Sequence, residues 1–278
     1  MATLRLLVDV GNSRVKWAFA TPDGFVAEGA AFLDDAAELR ILLECGWSPD
    51  EIRIANVAGA EAGARIAASL RQRFRVSPVL ASSAATGAGV RSGYTEPRLL
   101  GVDRWLALCA AFARYGGPVC VVDAGTATTI DLVTATGQHQ GGLILPGLEL
   151  MQSALWRGTS DLARLAGTEP RDGPQVALRD HPVLLGRDTG AAIRYGALQA
   201  TVSLVRDCLE PLNRTSLAGS GPPLLVITGG GASALQAELS EARQRFADAP
   251  GAGYRVEHRP LLVLEGLALD PLCFDPPP

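Results

Sequence analysis

VCVVDAGTATTIDLV, residues 119–133, is the stretch whose reading decides the fold. It opens as an apolar β-branched run, reaches a carboxylate at Asp123, breaks at Gly125 and resumes with Thr-rich strand formers, the pattern of a β-hairpin. Such a turn can hold a phosphate. Gly125 lets backbone N–H groups approach an anion, Thr126 and Thr128 add hydroxyl donors, and Asp123 can hold a cation that offsets phosphate charge. The plainer alternative is a tight turn, because Gly and Asp dominate turns for conformational reasons alone.

A second hairpin of the same kind lies near the start. LLVDVGNSRVKWAF, residues 6–19, places Val8, Asp9 and Gly11 on Val122, Asp123 and Gly125 at an offset of 114 residues. Each turn follows an apolar strand and is followed by hydroxyl residues, which favours anion binding over two coincidental bends. Internal similarity constrains the whole fold. Here it predicts duplicated sheets facing each other across a nucleotide cleft.

Composition sets the outer limits. A chain of 278 residues can bury one large domain or two modest ones. A net charge of −4 and scattered arginines argue against a nucleic-acid surface, which needs clustered Lys and Arg. The start of the chain enters a strand without the basic, apolar and small-residue regions of a signal peptide, so a cytoplasmic protein is expected. The longest apolar run, residues 105–113, is far short of the roughly 20 residues that cross a bilayer, so no membrane association is expected. Cys45, Cys109, Cys120, Cys208 and Cys273 form no CxxC pair and read as reduced structural thiols. His139, His181 and His258 are too few for a histidine-rich metal site, and each reads as a surface or loop residue.

In chain order, a third strand near residues 25–29 precedes a helix over 36–45. A strand over 52–57 leads to a helix over 60–74, with Ala64, Ala67, Ala68 and Leu70 at helical spacing, and a strand near 75–79 follows. Residues 82–93 are small, polar and Gly-rich and read as a loop. Pro97 and Gly101 break the chain before a helix over 102–115, so Asp103 and Arg104 fall in its first turn. Two readings of Asp103 are open: an acid that complements the helix dipole, or a base that takes a proton from a substrate hydroxyl.

GGLILPG, residues 141–147, reads as an apolar strand turning into a helix over 148–165 with Leu150, Leu155 and Leu162 as core contacts. Residues 167–179 read as a loop. A long helix over 186–212 follows, starting near Asp188 and Thr189, with Ile193, Leu198, Val202 and Leu209 facing the core. LLVITGGGA, residues 224–232, is a buried strand running into a Gly-rich turn that can admit a nucleotide or serve simple helix–sheet packing. An edge strand over 254–259, a helix over 261–269 and a frayed Pro-rich tail complete the chain.

Taken together, DVGNSRVK (residues 9–16), GVDR (101–104), DAGTATT (123–129), GGLILPG and TGGG resemble the type III pantothenate kinases, relatives of acetate and sugar kinases, actin and heat-shock chaperone ATPases. The resemblance spans nearly the whole chain. It implies an α/β fold of two duplicated actin-like, ribonuclease H-like lobes, residues 1–115 and 116–278, each a mixed sheet flanked by helices. It implies phosphorylation of pantothenate by ATP. Asp9, Val10, Gly11, Asn12, Ser13, Arg14, Val15 and Lys16 would meet the ATP phosphates, with Asp9 near Mg²⁺ and Thr126 also touching ATP. Asp123 would bind a monovalent cation, K⁺ or NH₄⁺. Tyr94, Gly101, Val102, Asp103, Arg104 and Thr189 would contact pantothenate, and Asp103 would be the base. Members act as homodimers whose pantothenate pocket the partner subunit completes. The Bvg accessory factor proteins look similar, so a regulatory role that retains the cleft is the alternative.

The chemistry stands apart from the resemblance. Phosphoryl transfer needs alignment and charge neutralisation more than covalent help, which phosphate-binding turns with cations provide. No GxxxxGK[ST] motif is present, so a Walker P-loop is excluded. A third reading, an actin-like or chaperone-like ATPase, is disfavoured by the short chain.

Overall fold

The computed structural model describes residues 3–158, 185–215, 222–245, 253–270 and 274–275. It divides into two compact units, the first made of Met1–Gly116, Thr136–Gly141 and Leu261–Pro278, the second of Gly117–Ala135 and Gly142–Pro260. The sequence reading cut the chain once, near residue 115. The structure instead returns the chain to the first unit twice.

The first unit holds a six-stranded sheet in the order β13-β5-β4-β1-β2-β3. β1 (Arg5–Val10) pairs antiparallel with β2 (Arg14–Thr21), which pairs antiparallel with β3 (Gly24–Phe32). On its other side β1 runs parallel to β4 (Glu51–Asn56), and β4 to β5 (Val79–Ala81). β13 (Phe274–Asp275) closes the edge antiparallel to β5. Leu6, Leu7 and Val8 of β1 are all buried, as a central strand covered on both faces requires.

Helices α1 (Ala36–Leu43), α2 (Ala60–Phe74) and α3 (Val102–Tyr115) belong to this unit. α2 has the bounds its periodicity predicts, but its buried face is Gly63, Ile66, Ala67 and Leu70. Ala64 and Ala68 are exposed. Ile66 carries more apolar surface than either alanine, and it sets the rotation of the helix toward the core. The loop expected over 82–93 contains a small hairpin, β6 (Thr86–Gly87) with β7 (Val90–Arg91). Arg91 N–H reaches Gly137 O at 2.8 Å, tying this hairpin to the returning segment.

α3 is buried on nearly every side from Arg104 to Ala111 because a late helix, the seven-residue Leu262–Ala268, packs against it. At Gly266 the two helices approach so closely that a Cβ would enter the Leu106 carbonyl. Behind that helix sits Arg53, 4% exposed, donating to Leu267 O and Leu269 O at 3.0 Å and to Asp270 Oδ1 at 2.7 Å. Arg5 bonds the other oxygen of Asp270 at 2.7 Å, and Glu51 accepts from both arginines. Two guanidinium groups thereby fasten the end of the chain to β1 and β4.

The second unit repeats the plan. Its sheet runs β10-β9-β8-β11-β12. β8 (Val119–Ala124) pairs antiparallel with β9 (Ala127–Val133) and parallel with β11 (Leu224–Thr228), which runs parallel to β12 (Arg255–His258). β10 (His139–Pro146) is the edge beyond β9. Position for position, this matches β3-β2-β1-β4-β5 of the first sheet, so the duplication expected from two short motifs extends through five strands.

Helices α4 (Leu148–Gly158), α5 (Thr189–Thr215) and α6 (Ala232–Arg245) flank this sheet. The late helix of the first unit is therefore α7. Val202, Leu209, Leu235 and Leu239 join Val122, Ile130 and Ile227 in the core, with Leu198 packed against it and Ile193 also buried. Leu150 and Leu155 of α4, expected in the core, are 42% and 46% exposed. Leu143 and Ile144 of the neighbouring edge strand are exposed too. The expected contact at Leu162 and the loop over 167–179 lie outside the described residues.

Two consequences are measurable. Gly266→Ala gains helix propensity of about 1 kcal/mol but must push α7 off α3, so a net loss of about 1–3 kcal/mol is expected in urea unfolding; an unchanged midpoint would show that the helices part freely. The second concerns acid. Burial works to raise the Asp270 carboxyl, but the hydrogen bonds and charges of Arg53 and Arg5 outweigh it and hold the group below its ordinary value of 3.8. A carboxylate lowered on folding stabilises above its ordinary value, and that contribution is lost as pH falls through the lower folded one. The Tm gap between the parent protein and Asp270→Asn should therefore close as pH drops below about 4, and a gap constant with pH would contradict the pairing.

Candidate active site

In the first unit, Asp9 stands one residue from the end of β1, opposite Lys16 of β2 and beside Ala55 of β4. Val10 and Val15 are fully buried and anchor the two strands, while Asn12, Ser13 and Arg14 project at the tip. Gly11 N–H donates to Arg14 O at 3.0 Å, and Ser13 O accepts from Leu33 N–H at 3.0 Å. Arg14 lies 4.3 Å over the Phe32 ring, a cation–π contact that fixes its stem. The glycine amide is thus spent on closing the turn. Any donor to an anion comes from the exposed tip, not from Gly11 itself.

The matching turn of the second unit is built the same way. Asp123 faces Thr129 across β8–β9 and lies in register with Thr228 of β11. Gly125 N–H closes on Ala127 O at 3.1 Å, leaving Thr126 exposed and Thr128 buried. Two other motifs converge here. Gly147, ending GGLILPG, donates to Thr126 O at 2.9 Å, and a side chain there would run into the backbone of Gly125 and Thr126. Gly229, opening the TGGG turn, has φ of +93°, and a Cβ on it would sit 2.5 Å from Asp123 Oδ1. Gly231 N–H then donates to Ala124 O at 2.8 Å. Three stretches read separately in the sequence therefore meet at one turn, where Gly229 lies against the Asp123 carboxylate and Gly147 against the backbone that follows it, approaches that only glycine permits.

A further cluster forms at the start of α3 in the first unit. Asp103 occupies the first turn, where the helix dipole suits an acid, and its Oδ1 accepts from Arg104 N–H at 2.7 Å. Gly101 leaves room for that oxygen, since a Cβ would lie 2.7 Å from it. Arg104 is 7% exposed and donates from Nη1 to the Tyr94 hydroxyl at 2.9 Å. Tyr94 stacks on His139 with ring centroids 6.0 Å apart and an interplanar angle of 12°. Gly101, Val102, Asp103, Arg104 and Tyr94 thus lie together in the first unit.

His139 corrects the sequence reading. It is 1% exposed, buried at the first position of β10 rather than on the surface. Nothing local marks it, because what buries it is Tyr94, 45 residues earlier in the chain. His258 is half-buried on β12, and His181 lies outside the described residues. Thr189 is exposed as the first residue of α5 in the second unit, next to Asp188, whose Oδ1 caps the helix by accepting from Ala191 N–H at 2.7 Å.

Among the described residues, no group of three or more His, Cys, Asp or Glu is arranged to cage a metal. The described cysteines, Cys45, Cys109, Cys120 and Cys208, are all free. Burial pushes the Cys109 thiol up to about 12 and Cys120 well above its usual value, so neither supplies a thiolate. The chemistry available is that of carboxylates, hydroxyls and backbone amides.

Comparison with known proteins agrees with this inventory. Residues 5–210 match the family model of the type III pantothenate kinases. The chain is 37% identical to the type III pantothenate kinase of Halorhodospira halophila over 277 residues, covering 95% of this chain and 96% of that one. It is 32% identical to that of Nitrosococcus oceani, covering 95% and 92%. Among solved structures, a Campylobacter jejuni protein described as a Baf family transcriptional activator superposes with a TM-score of 0.53 at 20% identity, covering 94% of each chain. A Listeria monocytogenes protein described as an N-acetylmannosamine kinase gives 0.53 at 12% identity, covering 95% and 97%. At such identities these two likenesses show the fold alone.

The approach of Gly229 to Asp123 gives a direct test. Gly229→Ala is expected to cost about 1–3 kcal/mol and to turn the Asp123 carboxylate away from the TGGG backbone. Chemical denaturation and a crystal structure of the variant would read both effects, and an undisplaced Asp123 at unchanged stability would refute that approach.

Proposed function

The chain belongs to the type III pantothenate kinase family, and on that premise we propose how its residues divide the work of phosphoryl transfer. The enzyme moves the γ-phosphate of ATP to the 4′-hydroxyl of pantothenate, giving ADP and 4′-phosphopantothenate, the first step of coenzyme A biosynthesis. Within Asp9 to Lys16, the exposed Asn12, Ser13 and Arg14 receive the ATP phosphates at the β1–β2 turn, and Thr126 is assigned a further ATP contact. Pantothenate is held by Tyr94, by Gly101, Val102, Asp103 and Arg104, and by Thr189.

The observation that carries the assignment of roles is the setting of Asp103: an acid in the first turn of a buried helix, anchored by one backbone N–H and flanked by the Arg104–Tyr94 pair. As the pantothenate oxygen attacks the γ-phosphorus and the bond to the β–γ bridging oxygen breaks, Asp103 accepts the hydroxyl proton. Arg104 carries positive charge beside this acid and fixes the Tyr94 hydroxyl. Donors in place before the reaction need no reorganisation in the transition state, which is where such sites gain most.

Two cations accompany this reading. Asp123, a single carboxylate with the backbone of Gly125 and Gly229 close to it, would hold a monovalent ion such as K⁺ or NH₄⁺. Asp9, also a single carboxylate, suits Mg²⁺ that arrives with the nucleotide and keeps its phosphate and water ligands. Their contribution is neutralisation of phosphate charge. The chain acts in the cytoplasm as a homodimer, a reading supported by the exposed apolar side chains Leu143 and Ile144 of β10 and Leu150 and Leu155 of α4. No helix among the described residues is long and apolar enough to cross a membrane.

Asp103→Asn should keep its fold and nucleotide binding while kcat falls about 10²- to 10⁴-fold. The measurement is ADP release coupled to a spectroscopic readout, run with and without pantothenate and with K⁺ exchanged for Na⁺. Near-normal turnover in the variant would remove Asp103 from the base role. Nucleotide binding by the parent protein without pantothenate-dependent ADP release would favour a Bvg accessory factor-like regulator.

A further inference from the structure

We propose that His139 is a positioning residue for pantothenate, acting through Tyr94; this rests on the reading above that Tyr94 contacts the substrate. Tyr94 follows a Gly-rich segment in which Arg91, Gly93 and Thr95 are exposed; its N–H is held by Ser92 Oγ at 3.2 Å, a backbone contact that leaves the side-chain torsions free. A tyrosine on such a segment would sample several rotamers and pay ordering entropy each time substrate bound. Three contacts in the first unit remove that freedom. The His139 ring lies flat against one face of the Tyr94 ring. His139 Nδ1 accepts from Gly93 N–H at 3.3 Å, fixing the residue before the tyrosine. Gly93 also packs so closely on the His139 carbonyl that a side chain there would enter it.

The stack and the hydrogen bond come from one imidazole. Arg104 holds the opposite end of the same tyrosine through its hydroxyl at 2.9 Å, with its guanidinium carbon 5.6 Å from the ring centroid. His139 fixes the plane of the tyrosine and Arg104 fixes its reach. His139 itself stays buried and is not a catalytic residue.

Steady-state kinetics on a set of variants tests this. His139→Ala should raise the pantothenate KM about three- to tenfold, the loss expected for one ring stack and one hydrogen bond, with kcat and the ATP KM within about twofold. His139→Asn, which keeps an acceptor near Nδ1, and His139→Phe, which keeps the ring, should each recover part of that loss at unchanged Tm. In a Tyr94→Ala background, His139→Ala should add nothing further. If Tyr94→Ala leaves the pantothenate KM unchanged, the reading of Tyr94 as a substrate contact fails, and the proposal with it. If Tyr94→Ala raises that KM while the three His139 variants do not, the positioning role alone is overturned. A parallel fall of kcat, ATP affinity and Tm in all three His139 variants would also overturn it, by showing a general structural role.

Discussion

A charged side chain inside a strand that is paired on both sides is costly unless partners are built around it, as they are for Arg53 in β4, and the cost falls where the strand runs out. β1 and β8 are such strands, each paired antiparallel on one side and parallel on the other. Asp9 and Asp123 occupy the same position near their carboxyl ends, where the backbone begins to turn and polarity first becomes affordable. Ligands of open α/β sheets gather outside these ends for the same reason. The position of the two acids therefore follows from the cost of burying charge, and the glycines that follow them are what lets the chain reverse at once.

The second unit shows how the remaining motifs depend on that turn. Gly147 and Gly229 are far apart in sequence, yet both serve close approach of backbone to the same bend. Their conformational freedom matters less than their lack of volume. An apolar strand between glycines, as GGLILPG reads, looks like a core element. Its exposed Leu143 and Ile144 show that the glycine at its end was the informative residue and the apolar run was not.

Much of the fold was legible because it is written locally. The paired Asp-x-Gly turns predicted the duplication, and the breaks at Gly59 and Gly101 predicted α2 and α3 to the residue. The errors share one origin, which is distance along the chain. Which face of α2 turns inward depends on the partners of Ile66, and Leu150 and Leu155 stay exposed on α4 although α5 packs against that helix. His139 is buried by a tyrosine that periodicity cannot connect to it. Even the site residues divide this way: Asp103 and Arg104 were legible as neighbours at a helix start, whereas the approach of Gly229 to Asp123 and of Gly147 to the turn after it required the folded chain.

The return of residues 261–270 to the first unit bears on how the protein is made. Arg53 is synthesised early, but its carbonyl and carboxylate partners at Leu267, Leu269 and Asp270 are among the late residues to leave the ribosome. Until then the groove beside α3 stays open and a guanidinium meant for the interior faces water. The first unit is in this sense unfinished until residues 261–270 have been made, and the interval before they dock is when its interior is most open to chaperones.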